Sequence, residues 1–308
     1  MGCMRDYSEE YTSCPVCGYS EEDIDEEAKK RPDALRAETI LAGRYIVGRV
    51  LSYTEYAITY MAWDALLQKR VAIKEYFPIN AGKRMKKEIL IKADREKESV
   101  FFQGKDGFYH EIEKWNKNQD ISSIIKIYRC VQENGTVYMI MEYLQGYTLQ
   151  DYIEEKGKLN SEEATKLLME ILQVIKELHD REINHWNLAP DNIYMDENQK
   201  IILIDPGVAK KQYFYCVEGN LDIYRREFIA PELLNGENVY KNADLYSAGA
   251  IFYFMLTGKE PKDSTVRRKK KDLKMHNKKH EKILRILMEK KPEKRPQDVQ
   301  QFEKCIEQ

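Results

Sequence analysis

Long apolar runs are missing from this 308-residue chain. Nothing in it approaches the ~20 consecutive apolar residues that a membrane span needs. Charge of one sign is missing too. The net charge is −2, which removes the electrostatic case for nucleic acid or an anionic membrane as partner. The opening residues, MGCMRDYSEE, lack the apolar core of a secretory leader, so a cytoplasmic location is expected. Cysteine is sparse, and Cys130, Cys216 and Cys305 stand alone, as reduced thiols in a reducing compartment do. What remains is the composition of a folded soluble chain: 43% hydrophobic residues, enough to bury a sizeable core.

The other three cysteines, Cys3, Cys14 and Cys17, gather in residues 1–20. CPVCG resembles a zinc knuckle, a tight turn that aims two thiolates at one metal. Three cysteines fall one short of a tetrahedral site, so a fourth ligand would come from water, a partner or an upstream residue. The alternative is a reduced, metal-free tail. Residues 21–43 are highly charged, contain Pro32, and fit a linker with one short helix.

Strand patterns follow in RYIVGRVLSY, AITYMAWD and KRVAIKEYF, where β-branched and aromatic residues nearly alternate. FYHEIEKWNK has helical spacing and TVYMIMEYL that of a strand. TLQDYIEEKG predicts a helix capped by Thr148 and stopped by Gly157. Asn160 and Glu163 are spaced as a capping box for the next helix. Its residues Leu167, Leu168, Ile171, Leu172, Ile175 and Leu178 share one apolar face. NADLYSAGAIFYFMLTG is apolar nearly all round and predicts a buried helix, with two more helices after it. Strands first and helices afterwards define an α+β chain of two lobes.

Several motifs then fall in one order. VAIK holds Lys74, FYHEIEKW holds Glu111, and MEYLQG follows a strand; NHWNLAPDN, DPG and APE come next, with Asp244 and Arg295 further on. Together they resemble the eukaryotic-like (Hanks-type) Ser/Thr protein kinases of bacteria, over residues 44–304, with an N-lobe at 44–143 and a C-lobe at 148–304. The resemblance implies ATP and magnesium as cofactors. Lys74 takes the place of the lysine on the α- and β-phosphates, and Glu111 that of its ion-pair partner. Ala72, the gatekeeper Met141 and the hinge residues Glu142 to Leu144 take the adenine positions, and Asn192 and Asp205 those of the magnesium ligands. Asp244 matches the anchor of the catalytic loop, and Arg295 the partner of Glu232.

The departures are as specific as the matches. Ser52, Thr54 and Ala57 stand where three glycines bring a loop's backbone to the phosphates. Asn187 replaces the aspartate base, and Ala189 the residue that neutralises charge on the transferring group. Losing a base costs ~10²–10⁴ in rate, and one electrostatic stabiliser ~10²–10³. Trp186 replaces the arginine that reads a phosphorylated activation loop, and residues 208–229 contain no Ser or Thr. Tyr194 is bulky where the adenine slot has a small floor, and Pro206 biases Asp205 towards extended backbone. These changes predict a pseudokinase, a binding or regulatory module for a protein partner. A slow Ser/Thr kinase is the main alternative, and a zinc-knuckle interaction protein on a kinase-fold scaffold a further one. The basic stretch VRRKKKDLKMHNKKHEK is expected to be a solvated face, with an acidic partner as the alternative.

Overall fold

The computed structural model describes residues 2–307 except 6, 7, 9, 86, 87, 208–224, 236–238 and 265–272. The tyrosines at 213, 215 and 224 and residues 266–272 of the basic stretch therefore lie outside the described residues. The chain folds into two units, residues 1–120 with 125–143 and residues 121–124 with 144–308. The fold is the expected two-lobed α+β arrangement.

The first unit is built on six antiparallel strands in the order β1 (Ile40–Leu41), β2 (Tyr45–Tyr53), β3 (Ala57–Asp64), β4 (Lys69–Tyr76), β8 (Thr136–Glu142) and β7 (Ile127–Glu133). A hairpin, β5 (Gly82–Arg84) and β6 (Ile91–Ala93), and helix α2 (Glu98–Asn116) are inserted between β4 and β7. Successive residues of a strand face opposite sides. Tyr76 points to the α2 side, where its ring meets Tyr56, Phe101 and Phe108. Lys74 shares that parity. Glu75 points the other way, fully buried, and ion-pairs with buried Arg84. Tyr60 Oη donates to Glu75 at 2.7 Å and accepts the Leu35 N–H at 3.0 Å, while Arg84 donates to the carbonyls of Asp33 and Ile89. Every group of this network has a partner, as a buried pair requires.

Helix α1 (Glu21–Lys30) starts at a capping box between Ser20 and Asp23 and lies alongside β2. The β2–β3 register slips on both sides of Val50. The Val50 N–H there is taken by the Glu27 carboxylate at 2.8 Å, whose other oxygen accepts from Tyr19 Oη at 2.8 Å. Arg31 stacks its guanidinium 4.4 Å over the Tyr53 ring.

The second unit is helical apart from a small sheet of β11 (Ile201–Leu203), β10 (Ile193–Met195) and β9 (Tyr147–Thr148). Its described helices are α3 (Leu149–Lys156), α4 (Ser161–Asp180), α5 (Pro231–Leu234), α6 (Ala243–Thr257), α7 (Lys278–Leu287) and α8 (Val299–Glu307). Thr148 and Asn160 make the expected capping boxes, with Asp151 and Glu163. The apolar face of α4 is buried, with α6 as its main partner. Gly258 ends α6 at φ +65, a left-handed conformation that glycine adopts without steric cost. Glu232 and Arg295, both buried, pair in two parallel bonds of 2.7 and 3.1 Å.

Candidate active site

In the second unit, Asp244 sits in the first turn of α6, fully buried. It organises the loop before β10. Its Oδ2 accepts from the His185 N–H at 2.9 Å and faces His179 Nε2 at 2.9 Å, and its Oδ1 accepts from the Trp186 N–H at 2.7 Å. Burial pushes the Asp244 carboxyl up, but His179 and the loop's N–H groups outweigh it and hold it below the usual carboxylate range. Trp186 adopts φ +54, so the carboxylate fixes a left-handed residue in place.

Asn187, nearly fully buried, is the hub of that loop. Its Nδ2 donates to the Asp205 carbonyl at 2.8 Å and lies 3.3 Å from Asp205 Oδ2. Its own carbonyl accepts from Asn192 Nδ2 at 2.7 Å. The Ile204 N–H donates to the Asn192 carbonyl at 3.0 Å. The two expected magnesium ligands, Asn192 and Asp205, are thus brought together through Asn187. A carboxylate and an amide oxygen are hard donors that suit magnesium. Gly207 packs so closely that a Cβ there would stand 2.6 Å from Asn187 Cβ. Its N–H donates to the His185 carbonyl at 2.7 Å. Ala189, two residues further along the same loop, is buried. Asp205 departs from expectation. Its φ is +56, left-handed rather than extended, despite the proline after it. The bond from Asn187 to its carbonyl holds it there, and aspartate is among the few residues that tolerate that region.

Leu144 also belongs to the second unit, and its carbonyl accepts from Tyr194 Oη at 3.2 Å. The bulky residue expected to narrow the adenine slot thus ties down the carbonyl of Leu144.

The first unit carries the other expected nucleotide residues. Ala72 and Met141 face each other across the β4–β8 ladder, and Glu142 ends β8. Lys74 and Glu111 are both buried, at 7% and 9% exposure, on β4 and α2. The Ser52, Thr54 and Ala57 segment is closed on itself. Thr54 Oγ1 accepts from the Ala57 N–H at 3.0 Å and the Tyr56 N–H at 3.3 Å, and donates to the Ala57 carbonyl. The backbone donors of Thr54, Tyr56 and Ala57 are therefore already engaged within the turn. The Tyr56 ring is buried edge-on against Tyr76 and Phe108, which pins the turn to the core. Sequence reasoning counted Thr54 only as a lost glycine. The signal for its role was a hydroxyl two to three residues before the N–H groups it caps.

At the amino end, the ligand atoms of Cys3, Cys14 and Cys17 lie within 4.8 Å of one another. The Cys14 N–H and carbonyl bond to Tyr19 and Gly18, closing the turn. A bond from the Val16 N–H is the main cause that draws the Cys14 thiol down to about 7, while burial pushes Cys3 up. A thiol ionised near neutral pH is the form a soft divalent cation binds.

A buried loop anchored by a helix aspartate, followed by a DPG turn and a buried Glu–Arg pair, fits a protein-kinase fold. The sequence model described as "Protein kinase domain" matches residues 56–308, and the chain belongs to that family. Serine/threonine-protein kinase PrkC of Bacillus subtilis is 28% identical over 224 residues, 72% of this chain and 32% of its own length. Probable serine/threonine-protein kinase PknB of Bifidobacterium longum is 26% identical over 234 residues, 72% and 31%. The chain therefore spans about a third of the length of these curated relatives. A solved structure, the "PpkA-294 apo form", aligns with a TM-score of 0.74 at 21% identity, covering 89% of this chain and 99% of that one. That likeness concerns the fold alone. Among the described residues, no helix is long and apolar enough to cross a membrane.

Proposed function

We propose that this protein is a pseudokinase, a kinase fold kept as a binding and regulatory module for a protein partner in the cytoplasm. The observation that carries this reading is Asn187. At the base position it presents an amide already donating to Asp205, and an amide cannot take a proton from a substrate hydroxyl. The test is transfer of labelled phosphate from ATP to the protein itself and to a Ser/Thr peptide. Incorporation should fall ~10²–10⁴ below that of an aspartate-bearing relative. Turnover within the roughly 1–100 per second of working kinases would make the chain a Ser/Thr kinase instead.

Lys74, Asn192 and Asp205 support weak, magnesium-assisted ATP binding, which Lys74→Ala and Asp205→Asn should both weaken in calorimetry. No heat at millimolar ATP, with or without magnesium, would leave a purely structural module. A second reading concerns zinc at Cys3, Cys14 and Cys17, favoured by the convergence of three thiols and the lowered pKa of Cys14. Chelator-washed protein under reducing conditions should retain or regain zinc by elemental analysis, and a zinc-free result rejects it.

A further inference from the structure

We propose that the cysteine cluster controls the β2–β3 turn. A soft divalent cation held by Cys3, Cys14 and Cys17 tightens that turn through Tyr19, Glu27 and the Val50 N–H. The inference rests on the zinc reading given above, and adds what such a site would regulate.

The thiols are what can hold the amino end in shape. Among the described residues before α1, Cys14 is the only hydrophobic side chain that is buried. Apolar burial therefore stabilises this stretch little, and in so small a unit metal binding is folding free energy. Tyr19 is built into the same turn. Its carbonyl accepts from the Cys14 N–H at 2.9 Å, and Ser13 and Ser20 form an antiparallel bridge on either side. Gly2, next to Cys3, is wedged against it: a Cβ there would stand 2.2 Å from Tyr19 Cβ and 2.9 Å from Cys17 Sγ. Tyr19 thus meets the chain beside each of the three thiols.

Its far end leads out of the turn. Tyr19 Oη donates to one oxygen of Glu27 at 2.8 Å, and the other oxygen accepts the Val50 N–H at 2.8 Å. Ser20 caps α1 directly after Tyr19, so the ring and the Glu27 carboxylate sit on one continuous piece of chain. Val50 lies where the β2–β3 register slips, and Ser52 is two residues further on. A slip of this kind disrupts the ladder locally, and the backbone groups it frees need partners elsewhere. Glu27 is such a partner. When the cysteine turn opens, Tyr19 Oη moves away and the carboxylate loses the donor that orients it. The Val50 N–H is then released, and the strand leading into the β2–β3 turn loosens.

The test is amide hydrogen exchange of the full chain under reducing conditions, read by mass spectrometry in chelator and in zinc. Zinc uptake is measured by elemental analysis on the same samples. In wild type, zinc should slow exchange of residues 45–57 roughly 3–10-fold, the range of one net hydrogen bond, and leave α6 unchanged. Tyr19→Phe keeps the ring and loses the donor, so it should take up zinc and gain no protection at 45–57. Glu27→Ala leaves Tyr19 and the thiols in place and should behave in the same way, which decides the matter if Tyr19→Phe disturbs the metal site. Zinc uptake without slowing in wild type overturns the inference and leaves the zinc reading standing. Slowing that survives in Glu27→Ala overturns it too, because the metal then acts by another route. No zinc uptake by wild type rejects the zinc reading, and the inference falls with it.

Discussion

The β2–β3 turn and the loop around Asn187 both depart from the residues that the family resemblance leads one to expect, in opposite ways. In the turn the backbone donors are still present, but Thr54 Oγ1 occupies two of them and Tyr56 anchors the turn in the core. Around Asn187 the frame is intact, from the Asp244 anchor to the Glu232–Arg295 pair, and one side chain has changed what it offers. The first site is closed by occupation and the second altered by exchange. The two differ in how far they can be reversed. Occupation can be lifted by removing the occupant, whereas an exchange embedded in a packed junction resists reversal.

The largest expected effect breaks the frame that the second loop depends on. Asp244→Ala leaves two N–H groups of the loop and His179 without their acceptor, and should cost about 3–5 kcal/mol in chemical denaturation. Because the folded carboxyl of Asp244 is held below its ordinary value, its contribution is complete above the unfolded pKa, about 3.9. It is lost as pH falls through the lower folded value. The acid limb of a stability profile should therefore be shallower in Asp244→Asn than in wild type.

Next in size is Gly207→Ala, whose new Cβ would stand 2.6 Å from Asn187 Cβ and 2.9 Å from the Trp186 carbonyl. Overpacking of this kind costs about 1–3 kcal/mol, and the quenching of Trp186 fluorescence should change with it. An unchanged melting temperature would show the junction to be looser than the comparison requires. The smallest effect tests whether occupation can be lifted. Returning Ser52, Thr54 and Ala57 to glycine frees the Tyr56 and Ala57 N–H groups. ATP affinity should rise roughly tenfold, the worth of about one net hydrogen bond near 1.4 kcal/mol. Calorimetry showing no gain would mean that the pinned Tyr56 ring, rather than Thr54, keeps the turn shut.

Much of this was legible in the chain. The capping pairs Thr148–Asp151 and Asn160–Glu163, the buried α6 and the order of motifs depend on neighbours a few residues apart, which sequence displays directly. The Asp244 anchor and the Glu232–Arg295 pair were legible through the family resemblance. The left-handed Asp205 was not. Its local preference, set by Pro206, pointed to extended backbone, and a side chain 18 positions earlier overrode it. The donor role of Asn187 was hidden for the same reason, since its acceptor is distant in sequence. Glu75 and Arg84 gave no sign of pairing, because what buries them includes residues 33–35, some 40 positions before Glu75.

The contact of Glu27 with Val50 bears on where this protein can be cut. Beyond Val47, whose carbonyl and N–H bond to Glu38 and Thr39, no strand among the described residues pairs with β2 on its outer side. A strand with open N–H groups on that side is a template for another chain. Glu27 seals one such group, Arg31 stacks over Tyr53 nearby, and Leu35 and Asp33 close the polar network beneath. A version shortened to the family-matching residues would lose β1, β2 and these seals together. One beginning at Arg44 would keep β2 with its edge bare, and self-association in such a version would come from the trimming, not from a native oligomer.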